Sequence, residues 1–150
     1  MSLLIHNSVS SHYHLRSSKI FTFGYGNRKN YDSLSSAIHE NSITYLVDIR
    51  LKPSAWTRRW YGTEIAKFCQ SINIQYISMP CLGNISGKPE WIPPDPEAAA
   101  AGLQKLSEIS KHDSILLLCA ELDYRSCHRT AVAESIQKLN NELVHHFGRS

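Results

Sequence analysis

The stretch that most constrains the fold runs from Ile115 to Arg129, ILLLCAELDYRSCHR. Four consecutive apolar residues, Ile115 to Leu118, have the pattern of a strand buried on both faces, which occurs in parallel sheets covered by helices. The run stops at Cys119-Ala120-Glu121, a polar loop follows, and Ser126-Cys127-His128-Arg129 leads into a helix-period pattern. The segment therefore predicts a strand, a turn and a helix start. Ligands in open α/β sheets bind outside the carboxyl ends of strands. This turn carries a thiol, a carboxylate, an imidazole and guanidinium groups, and is half of a candidate site.

The same rhythm recurs along the chain. Ile20 to Phe23 is a short strand breaking at Gly24-Tyr25-Gly26-Asn27-Arg28, a loop of residues that tolerate positive φ. A helix should follow, capped by Asn30 or Asp32 and burying Leu34, Ala37 and Ile38. Ile43 to Ile49 is the second strand, and alternation puts Asp48 and Arg50 on one side of its end. Thr63 should cap a helix whose stripe is Ile65, Phe68, Cys69 and Ile72. Gln75 to Met79 is a third strand, followed by a Gly- and Pro-containing loop reaching Pro94. Asp95-Pro96-Glu97 opens a helix to about Lys111 that buries Leu103, Leu106 and Ile109. The last helix should bury Ala131, Val132, Ile136 and Leu139, and Glu142 to Phe147 returns as a strand. The expectation is an α/β fold: a single three-layer domain over residues 20–150, with an open, mostly parallel sheet of about five strands and helices on both faces.

Residues 1–19 read as a flexible, Ser- and His-rich leader rather than a signal peptide, since no basic segment precedes an apolar run. No stretch approaches roughly 18 apolar residues, so no membrane span is expected. The four cysteines, at 69, 81, 119 and 127, have no CxxC spacing. In a chain long enough to build its own core they suggest free thiols in a reducing compartment, and a cytoplasmic location.

The chemistry gathers at three strand ends. The first gives Gly24, Tyr25, Gly26, Asn27 and Arg28, whose backbone N–H groups and guanidinium suit an anion. This is not the full GxGxxG fingerprint, and no Walker-type lysine is present. The second strand end gives Asp48 and Arg50, which are either a structural ion pair or part of a site. The fourth gives Cys119 and Glu121, with Cys127, His128 and Arg129 at the helix start. Asp48 and Glu121 are the candidate catalytic acid/base pair. Arg28, Arg50, His128 and Arg129 are candidate anion-binding groups. Cys119 to Arg125 has the C-x5-R spacing of cysteine phosphatases, but Glu121 and Asp123 inside that loop would repel a phosphate. Zinc is disfavoured because Cys127 and His128 are adjacent and no second cluster supports them. No metal and no cofactor is expected.

Net charge is only +3, so any nucleic-acid reading needs local clustering. One cluster exists: Arg50, Lys52, Arg58 and Arg59 are interleaved with Trp56, Trp60 and Tyr61, with no acid from Leu51 to Thr63. Guanidinium for phosphate and flat rings for bases is the combination used on single-stranded or flipped bases. Trp56, Arg58, Arg59 and Trp60 are the candidate base-stacking and nucleic-acid contacts. The expected partner is a phosphate-containing small molecule or nucleic acid, handled by hydrolysis or by binding alone. A homodimer is a further expectation on the partner side.

These residues resemble the domain of unknown function 488 family. The likeness is carried by Gly24-Tyr25-Gly26-Asn27-Arg28, Leu46-Val47-Asp48-Ile49-Arg50, Pro80-Cys81-Leu82-Gly83, Leu118-Cys119-Ala120-Glu121 and Cys127-His128-Arg129. It spans roughly Ile20 to Phe147. The family's first loop is more often Gly-His-Ser-Asn-Arg, so Tyr25 and Gly26 depart from it. The resemblance implies a compact α/β domain with its signature residues at strand ends. It supplies no reaction.

Overall fold

The computed structural model describes residues 17–148. Strands β1 (Ile20–Gly24), β2 (Ile43–Asp48), β3 (Gln75–Ser78), β4 (Ser114–Cys119) and β5 (Val144–His146) form one sheet in the order β3-β2-β4-β1-β5. Every neighbouring pair is parallel. The leader expected over 1–19 lies outside the described residues except for 17–19. No helix among the described residues is long and apolar enough to cross a membrane.

Helix α1 spans Asp32–Glu40 and buries Leu34, Ala37 and Ile38, the face its spacing predicts. Helix α2, Gly62–Ser71, buries Ile65 and Cys69. It begins one residue before Thr63, with Tyr61 in the capping position, so Thr63 is inside the first turn. Helix α3, Pro96–Ile109, is capped by Asp95, whose side chain accepts from the Glu97 and Ala98 N–H groups. Helix α4, Arg129–Asn140, buries Val132, Ala133 and Ile136 together with Arg129 itself. Leu139, expected inside, is 50% exposed.

The β4 run is buried on both sides, as its composition requires. Ile115 and Leu117 pack with Val132, Ile136 and Leu106 under α3 and α4. Leu116 and Leu118 pack with Leu34, Ile38 and Ile65 under α1 and α2. The helices leaving β1 and β2 thus cross one face, and the helix leaving β4 crosses the other. Because β4 lies between β1 and β2, their loops part above it. A crevice opens at the carboxyl end of β4, where the chain direction switches.

Candidate functional site

Three of the sequence-flagged loops meet in that crevice. The first is the loop after β1. Gly24 pairs with Cys119, and the N–H groups of Tyr25 and Gly26 donate to the carbonyls of Cys119 and Ala120 at 3.1 and 2.8 Å. These amides stitch β1 to the β4 loop instead of facing an anion, and α1 begins only at Asp32. The Gly26 backbone has φ +55° and packs under Leu122, a conformation that favours glycine. Arg28 reaches out beyond the stitched part. Its guanidinium carbon sits 4.9 Å over the Phe23 ring, and Nη1 donates to Ser33 Oγ at 2.9 Å. Its Nε is buried with no hydrogen-bond partner among the described residues.

The end of β2 is the electrostatic centre. Arg50 grips Asp48 with both edges of its fork, Nε to Oδ1 at 2.7 Å and Nη2 to Oδ2 at 2.6 Å. Tyr76 Oη donates to the same carboxylate at 2.7 Å. Asp48 is 0% exposed and Arg50 6%. Burial works against the Arg50 charge, but the hydrogen bonds and charge of Asp48 outweigh it and raise its pKa. Burial and the Asp48 hydrogen bond likewise raise Tyr76. The remaining arginine nitrogen, Nη1, donates to the Trp60 carbonyl at 2.6 Å and the Ser54 carbonyl at 3.3 Å. Asp48 and Arg50 therefore lie on one side of the strand end, as alternation required. Their first duty is to each other and to the backbone of the aromatic segment.

That segment forms the outer wall. Trp60 is 2% exposed, stacks on Tyr25 with ring centroids 4.7 Å apart, and donates from Nε1 to the Arg28 carbonyl at 2.9 Å. Trp56, four residues earlier, is fully exposed. Between them lies a pocket of about 720 Å³ whose lining includes Gly26, Asn27, Arg28, Lys29, Arg59 and Trp56. Three cations line it and no acid among the described residues does. Arg58 is exposed and is not part of that lining.

A second pocket, about 560 Å³, adjoins it and shares Tyr25, Ser54 and Ala120. Its lining brings together Arg50, Lys52, Lys88, Glu121, Cys127 and His128. Glu121 is exposed. His128 is buried at 9% exposure, with Nε2 3.1 Å from the Ile49 carbonyl. Burial lowers its pKa, against the pull of backbone carbonyls and with help from Arg129. Lys88 comes from the long Gly/Pro loop, which Asn84 folds up by bonding Lys88 O and the Ile92 N–H. Trp91 of that loop packs on the core and donates to Gly83 O, so it is not a wall of the cleft.

Arg129 does not line either pocket. It is 0% exposed and donates inward: Nε to Thr22 Oγ1 at 3.1 Å, Nη1 to the Glu121 carbonyl, and Nη2 to the carbonyls of Leu122 and Phe147. Its role here is to fix the Glu121 loop and the segment after β5. Arg125, the arginine of the C-x5-R spacing, is exposed and turns to Asp123, which leaves the phosphatase arrangement unbuilt. Cys119 and Cys127, expected as separate thiols, have their sulfur atoms in direct contact, with Cα atoms 7.6 Å apart. The Cys69 thiol is pushed up to about 12 by burial, then by the Asp48 charge, as suits a packing residue.

Sequence reasoning missed Tyr76 and the Arg129–Thr22–His146 chain. Thr22 Oγ1 accepts from Arg129 and lies 2.7 Å from His146 Nδ1, so the hydroxyl donates onward to a neutral imidazole. Burial first, then Arg129 and His145, push His146 down to about 4. An imidazole in the unfolded chain takes its proton near pH 6.5, whereas the folded one resists until about 4. Stability tied to neutral His146 is therefore complete above about pH 6.5 and is lost as pH falls towards about 4. Buried His128 acts in the same direction. Since His146 is only half-buried, the loss is on the order of 1–2 kcal/mol after solvent screening. Urea midpoints at pH 7.5, 5.5 and 4.5 should decline in that order, and His146→Asn should flatten the decline.

No curated protein and no solved structure matches the chain. A family model described as Domain of unknown function DUF488 matches residues 30–136. The matched span runs from the start of α1 into α4, and so takes in Asp48, Arg50, Glu121, His128 and Arg129 but not the Gly24–Arg28 loop. Since it covers well over half of the sequence, the chain belongs to the family of the Domain of unknown function DUF488.

Proposed function

We propose that the cleft binds a phosphate-bearing aromatic ligand, a nucleotide or a segment of single-stranded nucleic acid. The observation that carries this reading is the pocket of about 720 Å³ walled by Trp56, Trp60 and Tyr25 and lined by Arg28, Lys29 and Arg59, with no acid among the described residues. Its volume suits a ligand of nucleotide size. A fully exposed tryptophan offers a stacking platform, and the Arg28 guanidinium lies on the pocket wall. Arg58, on the exposed turn beside Arg59, extends the positive surface along a strand. Glu121, His128 and Arg50 face the adjoining pocket, while Gly24, Asp48 and Arg129 hold those groups in place from beneath.

Fluorescence anisotropy with a labelled oligo(dT) single strand and a matched duplex, at two salt levels, tests the proposal. Single strands should bind more tightly, with affinity falling as salt rises. Trp56→Ala should weaken binding by roughly 5-fold or more, since stacking on one ring contributes about 1–3 kcal/mol. Arg59→Ala should reduce the salt slope by about one unit. Absence of binding in low salt sinks the reading.

A second reading is hydrolysis of such a ligand, favoured by a carboxylate and an imidazole, Glu121 and His128, on the wall of the adjoining pocket. Glu121 is the exposed acid/base of the Asp48–Glu121 pair, and Asp48 works through Arg50. Glu121→Gln should then retain binding and lose turnover. A wild-type protein that turns over nothing across nucleotide and oligonucleotide panels removes this reading while leaving the binding proposal standing.

A further inference from the structure

Cys119 ends β4 and Cys127 immediately precedes His128 at the start of α4, and both line the pocket that holds Glu121 and His128. The two sulfur atoms are in direct contact. Glu121 lines the same pocket, but the groups nearest the sulfur atoms are a guanidinium, an amide and an imidazole. Arg129 Nη1 is 3.7 Å from Cys119 Sγ, the Arg129 backbone N–H points to Cys127 Sγ at 3.4 Å, and His128 Nδ1 is 3.9 Å from the same sulfur. The other hydrogen bonds of the Arg129 guanidinium go to neutral acceptors, one hydroxyl and three carbonyls. Asp123 and Glu121 act on this buried cation through their charge, and a thiolate on either sulfur adds an anion in direct reach of the guanidinium. A guanidinium and a helix-start amide are surroundings that make a cysteine reactive. Cys69, buried in the core on the other side of the sheet with none of these neighbours, shows the contrast.

We propose that Cys119 and Cys127 form a dithiol–disulfide redox centre at the floor of the cleft, which exchanges with small-molecule disulfides. The inference is independent of what the cleft binds. Cys127 is the attacking thiolate, because it has the amide and the imidazole and is slightly more exposed, 6% against 2%. It attacks one sulfur of the incoming disulfide. That S–S bond breaks, a mixed disulfide forms on Cys127, and the displaced thiolate leaves and takes a proton from solvent. Cys119, deprotonated to solvent, then attacks Cys127 Sγ and expels the second thiolate. The net change is two protein thiols oxidised to one disulfide and one external disulfide reduced to two thiols.

The test equilibrates the full chain in glutathione buffers of graded oxidised-to-reduced ratio, followed by acid quench, alkylation under denaturing conditions and peptide mass mapping. The expected result is joint loss of the thiols at 119 and 127 as one linked peptide pair lighter by two hydrogens, reversed by reduced glutathione, with Cys69 and Cys81 still alkylated. In Cys119→Ala the reaction should stop at a glutathione adduct on Cys127. Thiols at 119 and 127 that stay alkylated at every ratio overturn the proposal. So does a bond that reduced glutathione does not open, or an adduct formed on Cys81 in place of Cys127. The wild-type titration decides these points even if the variant fails to fold.

Discussion

Arg50→Met is expected to lower the free energy of unfolding by about 3–5 kcal/mol, the range for breaking a buried ion pair from one side. Asp48 is 0% exposed and takes two short hydrogen bonds from the guanidinium. Without the Arg50 guanidinium, the carboxylate keeps the Tyr76 hydroxyl at 2.7 Å and the backbone N–H of residue 50 at 3.3 Å. The substitution also frees the carbonyls of Ser54 and Trp60, so the aromatic segment that walls the larger pocket loses its anchor to β2. Urea denaturation of the single variant gives the cost, and hydrogen exchange should rise over residues 53–61. The double variant Asp48→Asn/Arg50→Met should recover a substantial part of the loss, because a missing pair is far less costly than a half-pair. If the double variant is as unstable as the sum of the singles, the pair is not the source of the effect.

The elements of this fold were largely readable from periodicity, and their partnerships were not. Leu34, Ala37 and Ile38 form one buried face whichever sheet α1 covers, and Asp95 caps α3 through local geometry alone. Tyr76 is different. It reaches Asp48 because β3 lies beside β2 with Asp48 opposite Ser78, two residues further along the same face. That register belongs to the order β3-β2-β4-β1-β5, which local patterning does not encode. The face of α4 was misjudged by about one position. A stripe of Ala131, Val132, Ile136 and Leu139 and a stripe of Val132, Ala133 and Ile136 both fit a helical period. The choice between them follows from Arg129, whose guanidinium enters the core and turns Leu139 outwards. The convergence of three strand ends was legible because a parallel sheet puts them on one edge. Which arginines face the cleft was not, since Arg129 meets acceptors from β1, from the β4 loop and from the segment after β5. Each is remote from α4 in sequence or reached through a turn.

Gly24→Ala is expected to be at least as damaging as Arg50→Met, about 3–5 kcal/mol, near the upper end for a single substitution. The reason is space rather than backbone freedom. A Cβ on Gly24 would lie 1.6 Å from the Glu121 carbonyl oxygen and 2.1 Å from Arg129 Nη1, the two atoms whose hydrogen bond fixes the Glu121 loop. Neither can yield cheaply. The oxygen is backbone, the guanidinium is fully buried and held from three other sides, and Gly24 itself is paired to Cys119 in the sheet. The glycine that sequence alone suggested for an anion-binding turn therefore makes room for the loop that carries Glu121. Gly87→Ala provides the control. That residue has φ +72° with nothing within 4 Å of its would-be Cβ, so it should cost only the left-handed backbone penalty, about 1–2 kcal/mol. Urea midpoints of the two variants measured side by side separate the mechanisms. A Gly24→Ala protein no weaker than Gly87→Ala means that the β1 end and the Glu121 loop do not meet as closely as described. The acid/base reading of Glu121 then loses the support that positions it.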